Sequence, residues 1–196
     1  MFTGIVQNTG TIVALHRKQK TATLRIKTDL TDDGSKVGDS VAIDGICLTI
    51  TDLAPGWFET TAMPETIRRT NLAAHEVGAQ VDLELALAAN SRIDGHFVLG
   101  HIDMTSTLME RVPDQNAVVM RFELPSGYQR FVVEKGSIAI NGVSLTVIAV
   151  DNQSFSVSLI PYTLAQTTLG KLVEGQQVNI ETDIIGKYIV RLKEAE

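Results

Sequence analysis

The chain has 196 residues, of which 44% are hydrophobic, and it carries a formal net charge of −6 at pH 7. It has no run of lysines and arginines, which argues against binding of nucleic acid or of an anionic membrane surface. No window reaches the ~18 apolar residues of a membrane span, and the N-terminus has no basic leader. With a single cysteine, Cys47, the chain can form no intrachain disulfide, so we expect a cytoplasmic protein.

Taken in order, the first half of the chain shows the signals of short strands separated by turns. Met1–Leu15 is β-like, and Thr21–Lys27 alternates between apolar and polar residues as a half-buried strand does. Leu30–Lys36 is polar and predicts a loop or a short helix. Ser40–Thr51 reads SVAIDGICLTIT, in which an Asp-Gly pair joins two apolar runs. Because Asp and Gly tolerate the positive φ angles of a type I′ turn, this stretch predicts a β-hairpin.

The remainder of the first half predicts two more strands on either side of a short helix. Trp57–Ala62 has the composition of a strand, and Pro64–Ala74 predicts a short helix followed by a loop. Ala79–Leu87 alternates again between apolar and polar residues, which indicates another half-buried strand. Ala88–Gly95 is then a connector.

The pattern restarts after the connector, and the second half repeats the first at a constant spacing. Gly100–Leu108 echoes Gly4–Ile12, and Ile160–Glu181 matches Met63–Glu84. Ser137–Ile148 reads SIAINGVSLTVI and repeats the hairpin with an Asn-Gly turn.

A repeat of this length is a whole domain, because solenoid units span only about 20–50 residues. Each copy contains about six short strands, and such a set closes most readily into a small antiparallel barrel without free edges. The sequence therefore predicts an all-β fold. It consists of two tandem, duplicated six-stranded antiparallel Greek-key barrels over residues 1–92 and 93–183, followed by a C-terminal α-helix over residues 184–196. Barrels facing each other about a pseudo-two-fold axis would line a shared pocket with equivalent residues.

The end of the chain changes to a helical period. Its apolar residues fall at i, i+3, i+4 and i+7 and form one stripe. A helix this short is marginal alone, so the stripe packs either on its own barrel or on copies of itself in an oligomer. The stripe consists of Ile185, Tyr188, Ile189 and Leu192.

Cys47 is the first candidate for chemistry, since it lies just past the predicted hairpin turn. Thr49 shares its face of the strand, and Ser144 and Thr146 are the matching pair in the second copy. A thiol here is either a nucleophile or ligand contact at a barrel mouth, or a small buried apolar residue.

Two positions break the symmetry of the repeat. The block GHFVLGH contains His96 and His101, whose spacing puts them on opposite faces of a strand, so we expect no metal site. His101 stands where the first copy has Ile5. A polar residue in place of an apolar one makes the two copies unequal, as a reaction in which they have different roles would require. Lys135 replaces Gly38 before a turn, either for solubility or for function.

The order of these motifs is similar to that of the riboflavin synthase family. The chain begins MFTGIV, carries DGICLT and NGVSLT in its hairpins and GHFVLGH between the copies, and continues with MPETIRRTNL and IPYTLAQTTL. The resemblance covers nearly the whole chain. The family fold also includes lumazine proteins, which bind the ligand without turnover. Retention of Cys47 and His101 favours the enzyme over such a binding protein.

The resemblance implies a transferase that catalyses the last step of riboflavin biosynthesis. Two molecules of 6,7-dimethyl-8-ribityllumazine exchange a four-carbon unit and give riboflavin and 5-amino-6-(D-ribitylamino)uracil. No metal or other cofactor is implied. The C7 methyl group of the substrate is acidic because its carbanion delocalises into the ring, so the protein orients two rings and manages protons.

The resemblance also implies an assembly. Members of the family form a homotrimer through the C-terminal helix, with one lumazine on each barrel. A site forms where the first barrel of one subunit meets the second barrel of a neighbour. Association with lumazine synthase is left open.

By position, the resemblance implies one substrate pocket on each barrel. Ser40, Cys47 and His101 are expected to handle protons or activate substrate, Cys47 either covalently or only by hydrogen bonding. The implied first-barrel pocket consists of Gly4, Ile5, Val6, Cys47, Leu48, Thr49, Thr61, Ala62, Met63, Pro64, Glu65 and Thr66. The implied second-barrel pocket consists of Gly100, His101, Ile102, Ser144, Leu145, Thr146, Ile160, Pro161, Tyr162, Thr163, Leu164 and Ala165, with Lys135 reaching a neighbour's ligand.

The hairpin turns depart from the family pattern. The family usually has Asn in the first turn and Asp in the second, whereas this chain has Asp44 and Asn141. An amide at the second turn cannot act as a base, which leaves the acid–base assignment open.

Overall fold

The computed structural model describes residues 1–31 and 34–195. These residues form two closed, six-stranded antiparallel barrels and a C-terminal helix, so the predicted fold is confirmed. Positions 32 and 33, within the loop predicted over Leu30–Lys36, lie outside the described residues. In the part of the chain that the structure describes, no helix combines the length and hydrophobicity needed to span a membrane.

The first barrel closes in the strand order β1-β2-β5-β4-β3-β6, with β6 pairing back onto β1. Its interior is filled by apolar side chains that alternate along each strand, such as Leu24 and Ile26 on β2. The short helix α1 (Pro64–Arg69) and a 3₁₀ helix (Asn71–Ala74) connect β5 to β6. The strands are β1 Asn8–Lys18, β2 Thr21–Lys27, β3 Ser40–Ile43, β4 Ile46–Ala54, β5 Trp57–Ala62 and β6 Gln80–Leu85.

The second barrel repeats this order, with β12 pairing with both β7 and β9 to close the sheet. Helix α2 (Pro161–Gln166) and a 3₁₀ helix (Thr168–Lys171) occupy the place of α1 and its successor. The strands are β7 Met104–Asp114, β8 Ala117–Glu123, β9 Ser137–Ile140, β10 Val143–Val150, β11 Ser154–Leu159 and β12 Gln177–Thr182.

The two predicted hairpin turns meet at the contact between the barrels. Asp44 and Asn141 have φ angles of 45° and 46°, and the glycines that follow have 77° and 79°, as type I′ turns require. A Cβ atom on Gly45 would lie 2.6 Å from the backbone nitrogen of Gly142. The pseudo-two-fold axis therefore passes where the glycines touch, and no larger residue fits there.

Strand β6 is buried on both faces at this contact, whereas the sequence predicted a half-buried strand. Asp82 accepts hydrogen bonds from the backbone N–H of Thr168 (2.8 Å), across the barrel contact, and its own N–H donates to Asp44 Oδ1 (2.7 Å). His75 Nε2 lies 2.9 Å from Asp44 Oδ2. Burial, and then the nearby charge of Asp44, raise the pKa of Asp82 to about 8.

The second barrel makes the same contact with amides in place of acids. Asn179 Oδ1 accepts from the backbone N–H of Asn71 (2.8 Å), and its Nδ2 donates to the carbonyl of Asp44 (3.0 Å). The N–H of Asn179 donates to Asn141 Oδ1 (2.8 Å). Asn141 is thus a buried residue of the barrel contact.

Helix α3 (Ile184–Lys193) is attached to the second barrel by polar side chains. Lys187 Nζ lies 2.7 Å from Asp103 Oδ2, and Arg130 pairs with Glu194 at the end of the helix. Asp183 caps its N-terminus by accepting from the N–H of Ile185 (2.9 Å). The apolar stripe points away from this attachment. Its exposed fractions are 52% for Ile185, 67% for Tyr188, 52% for Ile189 and 69% for Leu192.

The raised pKa of Asp82 predicts a specific pH dependence of stability. Between about pH 4, where an unfolded aspartate titrates, and about pH 8, the folded chain keeps a proton that the unfolded chain releases. The free energy of unfolding therefore falls as pH rises through this window. Asp82→Asn keeps the shape of the side chain, and the second barrel has an asparagine, Asn179, at the equivalent position. We expect the urea midpoint of this variant to fall less between pH 5 and pH 8 than that of the unmodified chain.

Burial also raises the pKa of Glu84 and of Glu181, so these carboxyls add a fall in stability that begins at about pH 4, where an unfolded glutamate titrates. The matched control is Asp52→Asn at an exposed position, which should keep the slope of the unmodified chain. A slope unchanged in Asp82→Asn would contradict the assignment.

Candidate functional site

Cys47 lies on β4 next to a segment that comes from the second barrel. Its side chain is half-buried and its thiol is free. Its backbone N–H donates to the carbonyl of Gly100 (2.9 Å), and Ile102 packs against the core of the first barrel. We call Gly100–Ile102 the central crossover segment.

Ser144 on β10 has the equivalent surroundings. Its backbone N–H donates to the carbonyl of Gly4 (2.7 Å), and Val6 packs against the core of the second barrel. We call Gly4–Val6 the N-terminal crossover segment. An antiparallel bridge between Phe2 and Val98 brings the two crossover segments together before each passes to the opposite barrel.

These contacts differ from the grouping that the resemblance implies. The resemblance groups Gly4–Val6 with Cys47 and Gly100–Ile102 with Ser144, whereas in the structure Gly4 contacts Ser144 and Gly100 contacts Cys47. The residues of each group are the predicted ones, but their partners differ. The physical reason is the crossover, which follows from hydrogen bonds between distant residues and leaves no local signal in the repeat.

Glycine is required where each crossover segment meets the opposite barrel. Gly4 and Gly100 have φ angles of +77° and +80°, which side chains rarely adopt. A Cβ atom on Gly100 would lie 2.5 Å from Cys47 Cβ, and one on Gly4 would lie 2.6 Å from Ser144 Cβ. The backbone of Gly100 therefore lies directly against Cys47, and that of Gly4 lies directly against Ser144.

Ser40 and His101 come from different elements of this arrangement. Ser40 is half-buried on β3 and pairs with Thr49 on β4, two steps along the ladder from the pair that Ala42 forms with Cys47. His101 has an exposed side chain at the start of the second barrel, next to Gly100. The structure thus brings Cys47 and the backbone of His101 together and places Ser40 on the neighbouring strand.

The remaining predicted residues lie at the end of β5 and β11 and on the helices that follow. Thr61 is half-buried and its hydroxyl lies 3.1 Å from that of Thr23. Glu65 is engaged by Arg69 (2.6 Å) and by Arg68, and these hydrogen bonds lower the pKa of its carboxyl. Three large hydrophobic residues among them are exposed, namely Met63 (51%), Ile160 (58%) and Tyr162 (71%).

His96 lies beside Ser144 and is not among the residues that the sequence predicted for the site. Its Nδ1 lies 2.7 Å from Ser144 Oγ, and its Nε2 is buried without a hydrogen-bond partner among the described residues. Burial lowers the pKa of His96, against an opposing effect of Asp183, so the ring is a neutral imidazole near pH 7. Its sequence signal was present in GHFVLGH but was weighed only for metal binding.

Lys135 adopts a left-handed backbone with a φ of 66°. The first barrel has Gly38 at this position, with a φ of +98°. Each N–H makes the equivalent bond, from Lys135 to Val147 O (2.8 Å) and from Gly38 to Ile50 O (2.9 Å). A lysine here is strained by about 1–2 kcal/mol relative to glycine.

Two cavities differ in their relation to the predicted residues. A cleft of about 670 Å³ lies at the barrel contact and is lined by Asp44, His75 and Lys171 among others, but by none of the predicted pocket residues. A cavity of about 430 Å³ lies beside α1 and includes the predicted residue Pro64. The larger cleft is a groove between the barrels rather than part of the candidate site.

Comparison with known proteins identifies the family. The lumazine binding domain model matches residues 3–86 and again residues 99–183. Riboflavin synthase from Actinobacillus pleuropneumoniae is 41% identical over 189 residues, which covers 96% of this chain and 88% of that protein. The chain belongs to the riboflavin synthase family. The enzyme from Mycobacterium bovis is 42% identical over 98% of both chains, and that from Bacillus subtilis is 40% identical over 97% of this chain and 89% of its own.

Solved structures agree with this family fold. LumP complexed with 6,7-dimethyl-8-(1'-D-ribityl) lumazine superimposes with a TM-score of 0.84 at 24% identity. LumP complexed with riboflavin gives a TM-score of 0.85 at 25% identity. Each comparison covers 93% of this chain and 99% of the other. The two-barrel arrangement is therefore shared with a lumazine-binding protein.

The close approach of Gly100 to Cys47 predicts an unusual sensitivity in this member of the riboflavin synthase family. Gly100→Ala adds a Cβ atom 2.5 Å from Cys47 Cβ at a φ of +80°. Gly175→Ala is the matched control, because Gly175 has a φ of +86° with no atom within 4 Å of the added Cβ.

Backbone strain alone costs roughly 1–2 kcal/mol, so we expect that loss for Gly175→Ala and about 1–3 kcal/mol more for Gly100→Ala from overpacking. Urea unfolding of both variants measures the difference. Equal losses of unfolding free energy in the two variants would mean that the central crossover segment moves away from Cys47 at no measurable cost.

Proposed function

We propose that the chain acts as a riboflavin synthase, a transferase that moves a four-carbon unit between two molecules of 6,7-dimethyl-8-ribityllumazine. The products are riboflavin and 5-amino-6-(D-ribitylamino)uracil, in the last step of riboflavin biosynthesis. The observation that carries the proposal is about 40% identity to riboflavin synthases over nearly the whole chain. A duplicated domain suits a reaction that consumes two copies of one substrate.

Each barrel holds one lumazine in a pocket that both barrels build. The first pocket combines Cys47 with the central crossover segment, and the second combines Ser144 with the N-terminal crossover segment. Exposed backbone groups beside these segments can hydrogen-bond the polar edge of a flat heterocycle. With the domain boundaries predicted from the repeat, 1–92 and 93–183, each proposed pocket draws residues from both domains.

The two pockets offer unlike groups for proton transfer, as donor and acceptor substrates require. The first pocket presents the Cys47 thiol with Ser40 and His101 close by. In the second, the neutral imidazole of His96 hydrogen-bonds Ser144 Oγ at 2.7 Å, so Nδ1 can accept a proton through the hydroxyl. We assign proton handling to Ser40, Cys47 and His101, and add His96 through Ser144.

The active assembly is a homotrimer in which the first barrel of one subunit faces the second barrel of the next. Support comes from helix α3, whose polar side chains attach it to its own barrel while Ile185, Tyr188 and Ile189 stay exposed. Lys135 supports it too, since the structure gives its side chain no partner within the described residues. We place its ammonium group on a neighbour's ligand. A single free thiol fits a reducing cytoplasm, and association with lumazine synthase stays a prediction.

The function is tested by mixing the protein with 6,7-dimethyl-8-ribityllumazine and following riboflavin by absorbance and chromatography. We expect turnover, with kcat lowered by at least about 10-fold, or about 1.4 kcal/mol, in Cys47→Ala and in His101→Ala. His16→Ala is the control, because His16 is exposed on β1 away from both pockets. Bound lumazine fluorescence without riboflavin would identify a binding protein instead, and unaltered rates in both variants would remove these two residues from the site.

The assembly is tested on the apolar stripe of α3. Tyr188→Asp combined with Ile189→Asp places two charges in the proposed subunit contact, and we expect monomers by light scattering together with loss of turnover. Arg191→Glu changes charge on the same helix outside the stripe and should leave the trimer intact. A trimer that survives the double substitution would refute the role of the stripe.

A further inference from the structure

Each crossover segment is held by a buried carboxylate on the barrel it leaves. Glu181 on β12 accepts the N–H of Leu99 at Oε1 (2.7 Å) and the N–H groups of Gly100 (2.8 Å) and His101 (3.1 Å) at Oε2. Its exposed fraction is 2%. Three consecutive backbone N–H groups, from Leu99 to His101, thus bind one side chain where the central crossover segment lies against Cys47.

Glu84 on β6 does the same for the N-terminal crossover segment. Its Oε1 accepts the N–H (2.6 Å) and the hydroxyl (2.8 Å) of Thr3, and its Oε2 accepts the N–H of Gly4 (3.0 Å). Its exposed fraction is 5%. Glu84 and Glu181 occupy equivalent positions of the repeat, so a buried carboxylate binds the crossover segment in each copy.

We propose that Glu84 and Glu181 are positioning residues with crossed action, each fixing the substrate pocket of the barrel on which it does not lie. Glu181 belongs to the second barrel, but the segment it holds covers Cys47 of the first. Glu84 belongs to the first barrel, but its segment covers Ser144 of the second. That these pockets receive the lumazines rests on the proposed function, whereas the crossed action rests only on the contacts above.

The geometry requires a carboxylate rather than any polar side chain. Both oxygens of each glutamate accept from donors, so neither end tolerates a donor group. Glutamine has the same shape but turns an NH₂ group toward at least one N–H in either orientation. The crossover segment then loses a charge-assisted hydrogen bond and faces an unpaired donor, which favours its local opening.

The single thiol of the chain reports on one segment directly. We measure alkylation of Cys47 by iodoacetamide in the folded protein, as the unmodified chain, as Glu181→Gln and as Glu84→Gln. The crossed action predicts a rate roughly 10-fold higher in Glu181→Gln, because the central crossover segment opens more often. Glu84→Gln is the matched control on the same barrel as Cys47, and its rate should stay within about 2-fold of the unmodified chain.

The reciprocal measurement moves the thiol to the other pocket. In a Cys47→Ser, Ser144→Cys background the reporter lies under the N-terminal crossover segment. Here Glu84→Gln should raise the alkylation rate roughly 10-fold and Glu181→Gln should not. Glu181→Asp and Glu84→Asp keep two acceptor oxygens and should therefore raise the alkylation rate less than the glutamine variants do. They also replace the glutamine variants in this measurement if one of those does not fold.

The pattern of the four rates decides the proposal. Acceleration of both thiols by both variants would show general loosening and overturn it, as would acceleration confined to the glutamate's own barrel or absent altogether. Circular dichroism and urea unfolding check that each variant is folded. Alkylation needs no turnover, so a chain that forms no riboflavin would refute the proposed function and leave the crossed action standing.

Discussion

The structure depends on two backbone hydrogen bonds that cross between the barrels, from Cys47 N–H to Gly100 O and from Ser144 N–H to Gly4 O. Each bond can form only because the crossing residue is a glycine with positive φ and no side chain. Once they form, the surroundings of Cys47 and of Ser144 are each built by both barrels. A displacement of one barrel relative to the other would therefore alter the surroundings of both residues together.

That contact keeps the backbone symmetry of the duplication while its chemistry has diverged. The turn residues Asp44 and Asn141 each accept the same hydrogen bond from the last strand of their own barrel, yet one is an acid and the other an amide. Asp82 and Asn179 likewise bind the opposite 3₁₀ helix in the same way. The backbone geometry of the two copies is therefore equivalent at this contact, whereas at these positions the ionisable groups are confined to the first copy.

Local signals in the sequence were sufficient for the barrels, the hairpins and the C-terminal helix, because alternation and Asp-Gly or Asn-Gly turns involve neighbouring residues. They were insufficient for the pockets. Pairing Gly4 with Ser144 joins residues far apart in the chain, and the repeat suggested grouping by copy instead. The alternation rule also failed on β6, where Asp82 is buried against the second barrel and Glu84 is buried beneath the N-terminal segment. Buried acids of this kind follow from tertiary contacts alone.

Lys135 shows how an outlier in backbone conformation carries functional information. Its neighbourhood requires a left-handed residue, and the first barrel meets that requirement with Gly38 at no steric cost. A lysine at the same place loses about 1–2 kcal/mol, and within the described residues no hydrogen bond or ion pair of its side chain offsets that loss. Strain of this size persists where the surrounding structure fixes the backbone. The side chain is exposed, so it can reach a group outside the chain, as the proposed contact with a neighbour's ligand requires.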